Sequence, residues 1–385
     1  MTKNINIFSL VLTGVASLTI AIGIGRFSYT PILPFMLSEI GLSKTHGGLI
    51  ASANYFGYLI GSLIPILPIF PKRIRNIFFS SIFICIFTIF LMGLVDDLIF
   101  FIILRFVHGI FSAFVLILGT SIILPHIQNL GKIHLSTAHF SGVGLGMVFS
   151  SIVVSVLGYY GFQWNHLWIA IGFLSLLLSL QIILFTPFEK ELPKKNPANH
   201  QPSKTGFALI SISYCLYGFG YVAFGTFIST MARTTPNIES TEPYVWLTVG
   251  LFGMPSVFFW NWFAQKIGND ISLFLANIIL GSGVLVSVLI TNPFGILLSA
   301  ILFGLTFIPI TAMCLLEGQK RFTGSFIVST AILTSCFSIG QMIGPYLAGF
   351  ITDLTESFNI AMYISGLTLI MGSFLMINPK RVFKN

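Results

Sequence analysis

The chain has 385 residues, 55% of them hydrophobic and 8% charged, where a soluble domain carries roughly 45 to 50% and 25%. With 40 phenylalanines and a mean hydropathy of +0.94, it holds more apolar surface than an aqueous core can hide, which excludes a soluble globular fold. The formal charge of +8 comes from dispersed Lys and Arg rather than a patch, so it reports orientation in a bilayer and offers nucleic acid no footprint.

A span needs about 20 apolar residues, so twelve spans would take roughly 240 and leave about 145 for connections and ends. Apolar runs bounded by turn residues and charges predict helices at 7–37, 45–70, 76–95, 98–124, 135–160 and 165–186. The pattern then stops. Residues 187–205 (PFEKELPKKNPANHQPSKT) hold four prolines, four lysines and two glutamates and read as a flexible aqueous linker. Six further runs follow, at 206–231, 243–267, 271–291, 293–317, 324–352 and 357–378. The expected fold is an all-α integral membrane protein with a six-helix bundle in 1–186, a cytoplasmic linker in 187–205 and a second six-helix bundle in 206–385. The first run lacks a small-residue cleavage site and reads as a retained helix, with the mature chain starting near Met1.

Charge sets the expected topology, because cytoplasmic loops collect Lys and Arg. With the N-terminus inside, the inner segments hold fifteen of the nineteen basic residues, the outer loops hold Lys44 and Arg233, and Arg26 and Arg105 fall within spans. Both termini are therefore expected on the cytoplasmic side of the cytoplasmic (inner) membrane. None of the eleven acids falls deep in a span. The four cysteines all lie in apolar runs, where a thiol behaves as a small hydrophobe.

An internal repeat appears at an offset of about 195. Gly23-Ile-Gly25-Arg26 aligns with Gly218-Phe-Gly220-Tyr221, Gly109 falls on Gly304, and Gly144 falls near Gly340. Two parallel halves around a midplane site are a transporter arrangement. The chain resembles the major facilitator superfamily over essentially its whole length. GIGRFSYTPILPFM in the first predicted helix, SANYFGYLIGSL in the second and SGVGLGMVFSS in the fifth resemble its YbfB/YjiJ-type branch. The resemblance implies a bacterial secondary transporter that works by alternating access, with no enzymatic activity and no cofactor.

Arg26 is the first candidate, since a guanidinium at membrane depth normally faces a cavity or a partner. Eleven residues from Leu37, it lies roughly 16 Å down the helix, near the midplane. Tyr29 and Thr30 share its face, and Pro31 and Pro34 follow. The competing structural role is capping of carbonyls in a broken helix. Arg105, with His108 and Ser112 on its face, matches with Gly109 and Ala113 the R-x-x-x-G-x-x-x-A core that the resemblance associates with coupling or substrate contact. Its structural alternative is an arginine snorkelling to the interface. His108 is a candidate carrier for a coupling proton, against the commoner role of a hydrogen-bonded packing residue.

Tyr214, Tyr217 and Tyr221 form a stripe at helical spacing, and Tyr217 and Tyr221 sit beside a glycine break. Asn54, Tyr55, Asn261, Asn277 and Gln341 are candidates to complete a polar lining, each equally able to bridge helices. The resemblance reads Gly142, Gly144, Gly146, Gly340, Gly344 and Pro345 as marking helices that bend or rock during gating. The superfamily signature between helices two and three keeps its basic part, Pro71-Lys72-Arg73-Ile74-Arg75, but has Phe70 where an aspartate is usual.

Two arginines without a buried acid leave about +2 in the first half, which favours a small organic anion as cargo. Glu39 and Asp353 are the acids able to reach inward and weaken that argument. The transport alternative is an exporter of lipophilic or drug-like compounds, favoured by 15% aromatic content. A non-transporting solute sensor or scaffold is the alternative from another class. No carboxylate pair, metal-ligand cluster or nucleophile with a base appears in the spans, and His126, His134 and His139 fit no metal spacing. The expected partners are a small-molecule substrate, the lipid bilayer and a coupling proton or ion, with the protein a monomer.

Overall fold

A computed structural model describes residues 7–67, 74–129, 138–185, 204–322 and 326–377. Most of the proposed linker, Pro71 to Arg73 and His134 lie outside them, as does the side chain of His126. Each predicted apolar run becomes helix, and no strand occurs among the described residues.

The first run is split. Helix α1 (Ile7–Leu18) passes into a π-helical segment, Thr19–Ile24, then a turn, then α2 (Tyr29–Glu39). The split follows from its sequence. Pro31 and Pro34 donate no backbone N–H to carbonyls one turn earlier, and π-segments recur at functional sites. The next predicted runs become α3 (Lys44–Leu63), α4 (Ile74–Met92), α5 (Leu98–Asn129), α6 (Ser141–Tyr159) and α7 (Trp164–Phe185). After the linker come α8 (Lys204–Thr234), α9 (Glu242–Ile267), α10 (Asn269–Leu289), α11 (Pro293–Arg321), α12 (Phe326–Thr355) and α13 (Asn359–Phe374).

Among the described residues, ten helical stretches are long and apolar enough to cross a membrane, counting Phe8–Glu39 as one. Helix α13 is apolar but shorter, and α3 is not among the ten. Helix α3 packs against both α5 and α12, so its polar and glycine residues meet protein where a lipid-facing helix would need apolar side chains. Helices α4 and α7 are the opposite case. They turn Phe83, Phe87, Phe173, Leu177 and Ile183 outward, which is the surface that acyl chains would cover. Tyr159 and Tyr160 stand exposed at the end of α6, a position suited to the headgroup level.

Close helix approaches need missing side chains. A Cβ on Gly109 of α5 would run into the carbonyl oxygen of Asn54 on α3, so only glycine permits that crossing.

Contacts between the two sequence halves follow the repeat. Helix α3 packs on α12, α6 on α9, and α2 on α8. Under the 195-residue offset α3 corresponds to α9 and α6 to α12, so the first two pairs are each other's counterparts. Polar bonds pin the same contacts. Thr30 donates to the Gly225 carbonyl at 2.7 Å, the hydroxyls of Ser62 and Ser335 meet at 2.7 Å, and Ser155 donates to the Pro243 carbonyl at 3.2 Å. At the end of α12 Asp353 accepts from the backbone N–H of Thr45 at 2.7 Å and from that of Lys44 at 3.3 Å, with Lys44 Nζ 3.9 Å away.

Candidate functional site

The interrupted first helix frees several carbonyls, and side chains from neighbouring helices take them up. His108 Nε2 lies 3.1 Å from the Ala21 carbonyl oxygen, and its Nδ1 lies 3.0 Å from Thr88 Oγ1. Arg105 donates from Nη1 to Gly25 O at 2.8 Å and from Nη2 to Arg26 O at 3.1 Å. Trp246 of α9 donates its indole N–H to Phe27 O at 3.1 Å. Buried backbone oxygens must be satisfied inside a membrane, and here Arg105, His108 and the Trp246 indole bond four of them, Phe27 O accepting from the Thr30 N–H as well.

Arg105 therefore occupies the capping role considered for Arg26, and it is buried rather than reaching the interface. Its Cζ lies 4.9 Å from the Tyr29 ring centroid, and Tyr29 in turn donates its hydroxyl to Gly47 O on α3 at 2.8 Å. Asn54 donates to the Arg105 carbonyl at 2.9 Å. Arg105, His108, Tyr29 and Asn54 thus form one layer that holds the broken helix against α3, α4 and α5.

Arg26 is differently placed. It is 3% exposed, with its Cζ 3.9 Å from the Tyr58 ring centroid and 5.0 Å from that of Tyr55. Its Nε and Nη2 have no hydrogen-bond partner, and among the described residues no ion pair involves it. The acids nearest to hand as partners are engaged elsewhere. Glu39 accepts from the Trp164 backbone N–H at 3.0 Å, Asp353 is bound to the start of α3, and Glu317 pairs with Arg321 and Lys320.

Arg26 lines a narrow cavity of about 40 Å³ together with Ile22, Phe27, Tyr58, Leu116, Phe140 and Val143 from the first half and Tyr221, Phe307, Ile308, Thr311 and Phe337 from the second. Among the described residues Arg26 is its only charged wall. On the far side the rings of Tyr214, Tyr217 and Tyr221 run nearly parallel to that of Phe337, at interplanar angles of 6°, 11° and 5°. Tyr217 donates its hydroxyl to Phe307 O at 2.5 Å, and Gln341 donates to the Tyr221 hydroxyl. Tyr221 reaches the cavity, whereas Tyr217 and Gln341 support its wall.

Other sequence candidates are dispersed. Asn261 is half-buried in α9 and does not line the cavity, and Asn277 donates to the sulfur of Met376. The glycines sit at helix crossings. Gly142 abuts Val15, Gly144 abuts Met254 of α9, Gly146 abuts Gly23, Gly340 abuts Cys215 and Gly344 abuts Phe219. The carbonyl of Pro345 faces Gly48. Among the described residues no group of three His, Cys, Asp or Glu side chains could hold a metal ion.

Tyr58, Phe307, Thr311, Phe337 and Trp246 were not legible as site residues. Tyr58 had a signal, since it lies one turn beyond Asn54 and shares a face with Tyr55. Phe337 had none, being one of 40 phenylalanines.

Many apolar helices, an interrupted first helix and a cavity walled by both halves define a multi-pass membrane transporter. The overall structure is similar to that of the nucleoside transporter NupG, with a TM-score of 0.69, 13% identity and all of both chains covered. An alanine mutant of NupG gives a TM-score of 0.68 and 14% identity over 98% of this chain and 100% of that one. At that identity the likeness is one of fold. Residues 18–377 match the family described as "Uncharacterised MFS-type transporter YbfB", and the chain belongs to that family.

Proposed function

We propose that the protein is a secondary active transporter that moves a small organic anion across the cytoplasmic membrane by alternating access. In this reading twelve spans form two six-helix bundles, 1–186 and 206–385, joined by a cytoplasmic linker at 187–205, with both termini cytoplasmic. The bundles rock about the crossings of α3 with α12 and α6 with α9, where Gly48 against the Pro345 carbonyl and Gly144 against Met254 allow close contact. The counterpart contacts of the two halves support the pseudo-two-fold arrangement, and the Lys and Arg count supports the orientation.

The observation that carries the cargo class is Arg26. It is the one charged group on the cavity wall, and two of its donors have no protein partner. A buried cation is costly unless paired, and an anionic solute supplies the pair each time it enters. Arg105 positions the broken helix in this reading, and Tyr221 and Tyr58 shape the pocket.

Proteoliposomes test it. Uptake of a radiolabelled small carboxylate is expected in the wild type and is expected to be lost in Arg26→Gln. A variant that transports normally overturns the anion reading. Transport of neutral lipophilic compounds alone, unaffected by Arg26→Gln, would favour the lipophilic exporter.

A further inference from the structure

We infer that the cargo is a planar aromatic carboxylate, an inference that rests on the anion reading above and narrows it. Three features of the cavity point to this class. First, the unpartnered donors of Arg26 are Nε and Nη2, the two nitrogens that share one edge of the guanidinium. That edge presents two parallel N–H groups, matched to the two oxygens of a single carboxylate. The ring of Tyr58 lies 3.9 Å from Cζ, against a face of the group, and N–H donors bond in the plane, so a carboxylate would pair with this edge in plane.

Second, most of the remaining wall is aromatic, with Phe27, Tyr58, Phe140, Tyr221, Phe307 and Phe337 lining it. Tyr221 and Phe337 both reach the cavity with planes 5° apart at 5.5 Å, and Phe307 is 18° from Tyr221 at 6.2 Å. Aromatic pairs favour offset stacking on such faces. Gln341, by donating to the Tyr221 hydroxyl, and Tyr217, by donating to Phe307 O, fix this wall from behind. An aromatic cargo can extend such a ring stack, whereas a thick saturated body offers it no π-face.

Third, the charge on Arg26 repels the cations that aromatic cages otherwise attract. The cavity is also narrow, at about 40 Å³, so the cargo enters as the halves move apart and is gripped between the Arg26 edge and the aligned rings as they close.

Thermal unfolding of the purified full chain with benzoate, cyclohexanecarboxylate and benzamide tests this, because a ligand of the folded state raises its apparent stability. The expected result is a concentration-dependent rise in Tm with benzoate, a clearly smaller one with cyclohexanecarboxylate and none with benzamide. Arg26→Gln is expected to remove the benzoate shift, and Phe337→Leu to bring it down to that of cyclohexanecarboxylate. Equal shifts for benzoate and cyclohexanecarboxylate overturn the aromatic inference and leave the anion reading standing. A benzamide shift equal to that of benzoate, or no shift with either acid, overturns both. If Arg26→Gln does not fold, Phe337→Leu and the three-compound comparison on the wild type decide the matter.

Discussion

Thr30 donates its hydroxyl to the carbonyl oxygen of Gly225 at 2.7 Å, and the two positions are 195 residues apart. That separation is the offset of the internal repeat, so the two residues are counterparts that touch. In a two-fold interface a residue meets its own counterpart only at the axis. The pseudo-axis relating the halves in the proposed arrangement thus runs between α2 and α8.

Thr30→Val removes that bond while keeping the shape of the side chain. A loss of about 1 kcal/mol is expected, enough to shift the balance of closed and open forms about fivefold. Impermeant-thiol labelling of a Cys introduced near the outer end of α2 reads the shift, and unchanged labelling would show that the bond does not hold this closure.

The two membrane arginines are expected to behave in opposite ways. Arg105→Gln strips Gly25 O and Arg26 O of their donors, costing about 1–3 kcal/mol for each buried group left unsatisfied. Its Tm in detergent should fall well below that of the wild type. Arg26→Gln should leave the resting Tm nearly unchanged and abolish transport. The reverse order of Tm values would exchange the roles assigned to them.

Gly25→Ala directs a Cβ at the His108 ring and at Ala21 O, so His108 must leave its carbonyl partner. Overpacking of this kind costs about 1–3 kcal/mol. Gly225→Ala is the control, since its Cβ would meet Phe303 at 3.4 Å and Trp246 at 3.8 Å, ordinary contact distances. Comparable Tm values for the two variants would contradict the packing described around Gly25.

Asp353→Ala removes the carboxylate that joins the end of α12 to the start of α3. Ser43 still caps α3 locally by accepting from the His46 N–H at 3.1 Å, so the helix should survive while the bond between halves weakens. Labelling from the outer side is expected to rise for a Cys introduced near the outer end of α2, and the rise should persist in Asp353→Asn to a smaller extent, because the amide oxygen still accepts. No change in either variant would show that α3 and α12 are held by apolar packing alone.

Much of this architecture was legible in order. The apolar runs placed the helices because lipid demands continuous apolar stretches. Arg26 stood out because charge at membrane depth is costly wherever it occurs. The break at Gly23 to Pro34 was foreseeable as well, since glycine and proline act on the local backbone. Its π-helical form was not.

The sequence by itself determined that the chain is a multi-pass membrane protein of apolar helices, with two guanidinium groups inside them. Only the tertiary structure decided that Arg105 is spent on Gly25 O and Arg26 O while Nε and Nη2 of Arg26 have no partner, and that Phe337 and Tyr58 join Arg26 on the cavity wall. The physical reason is range. Hydropathy and backbone breaks act between neighbours in sequence, whereas the partner of a buried side chain is fixed by the helix packed against it, 79 residues away in the case of Arg105 and Arg26.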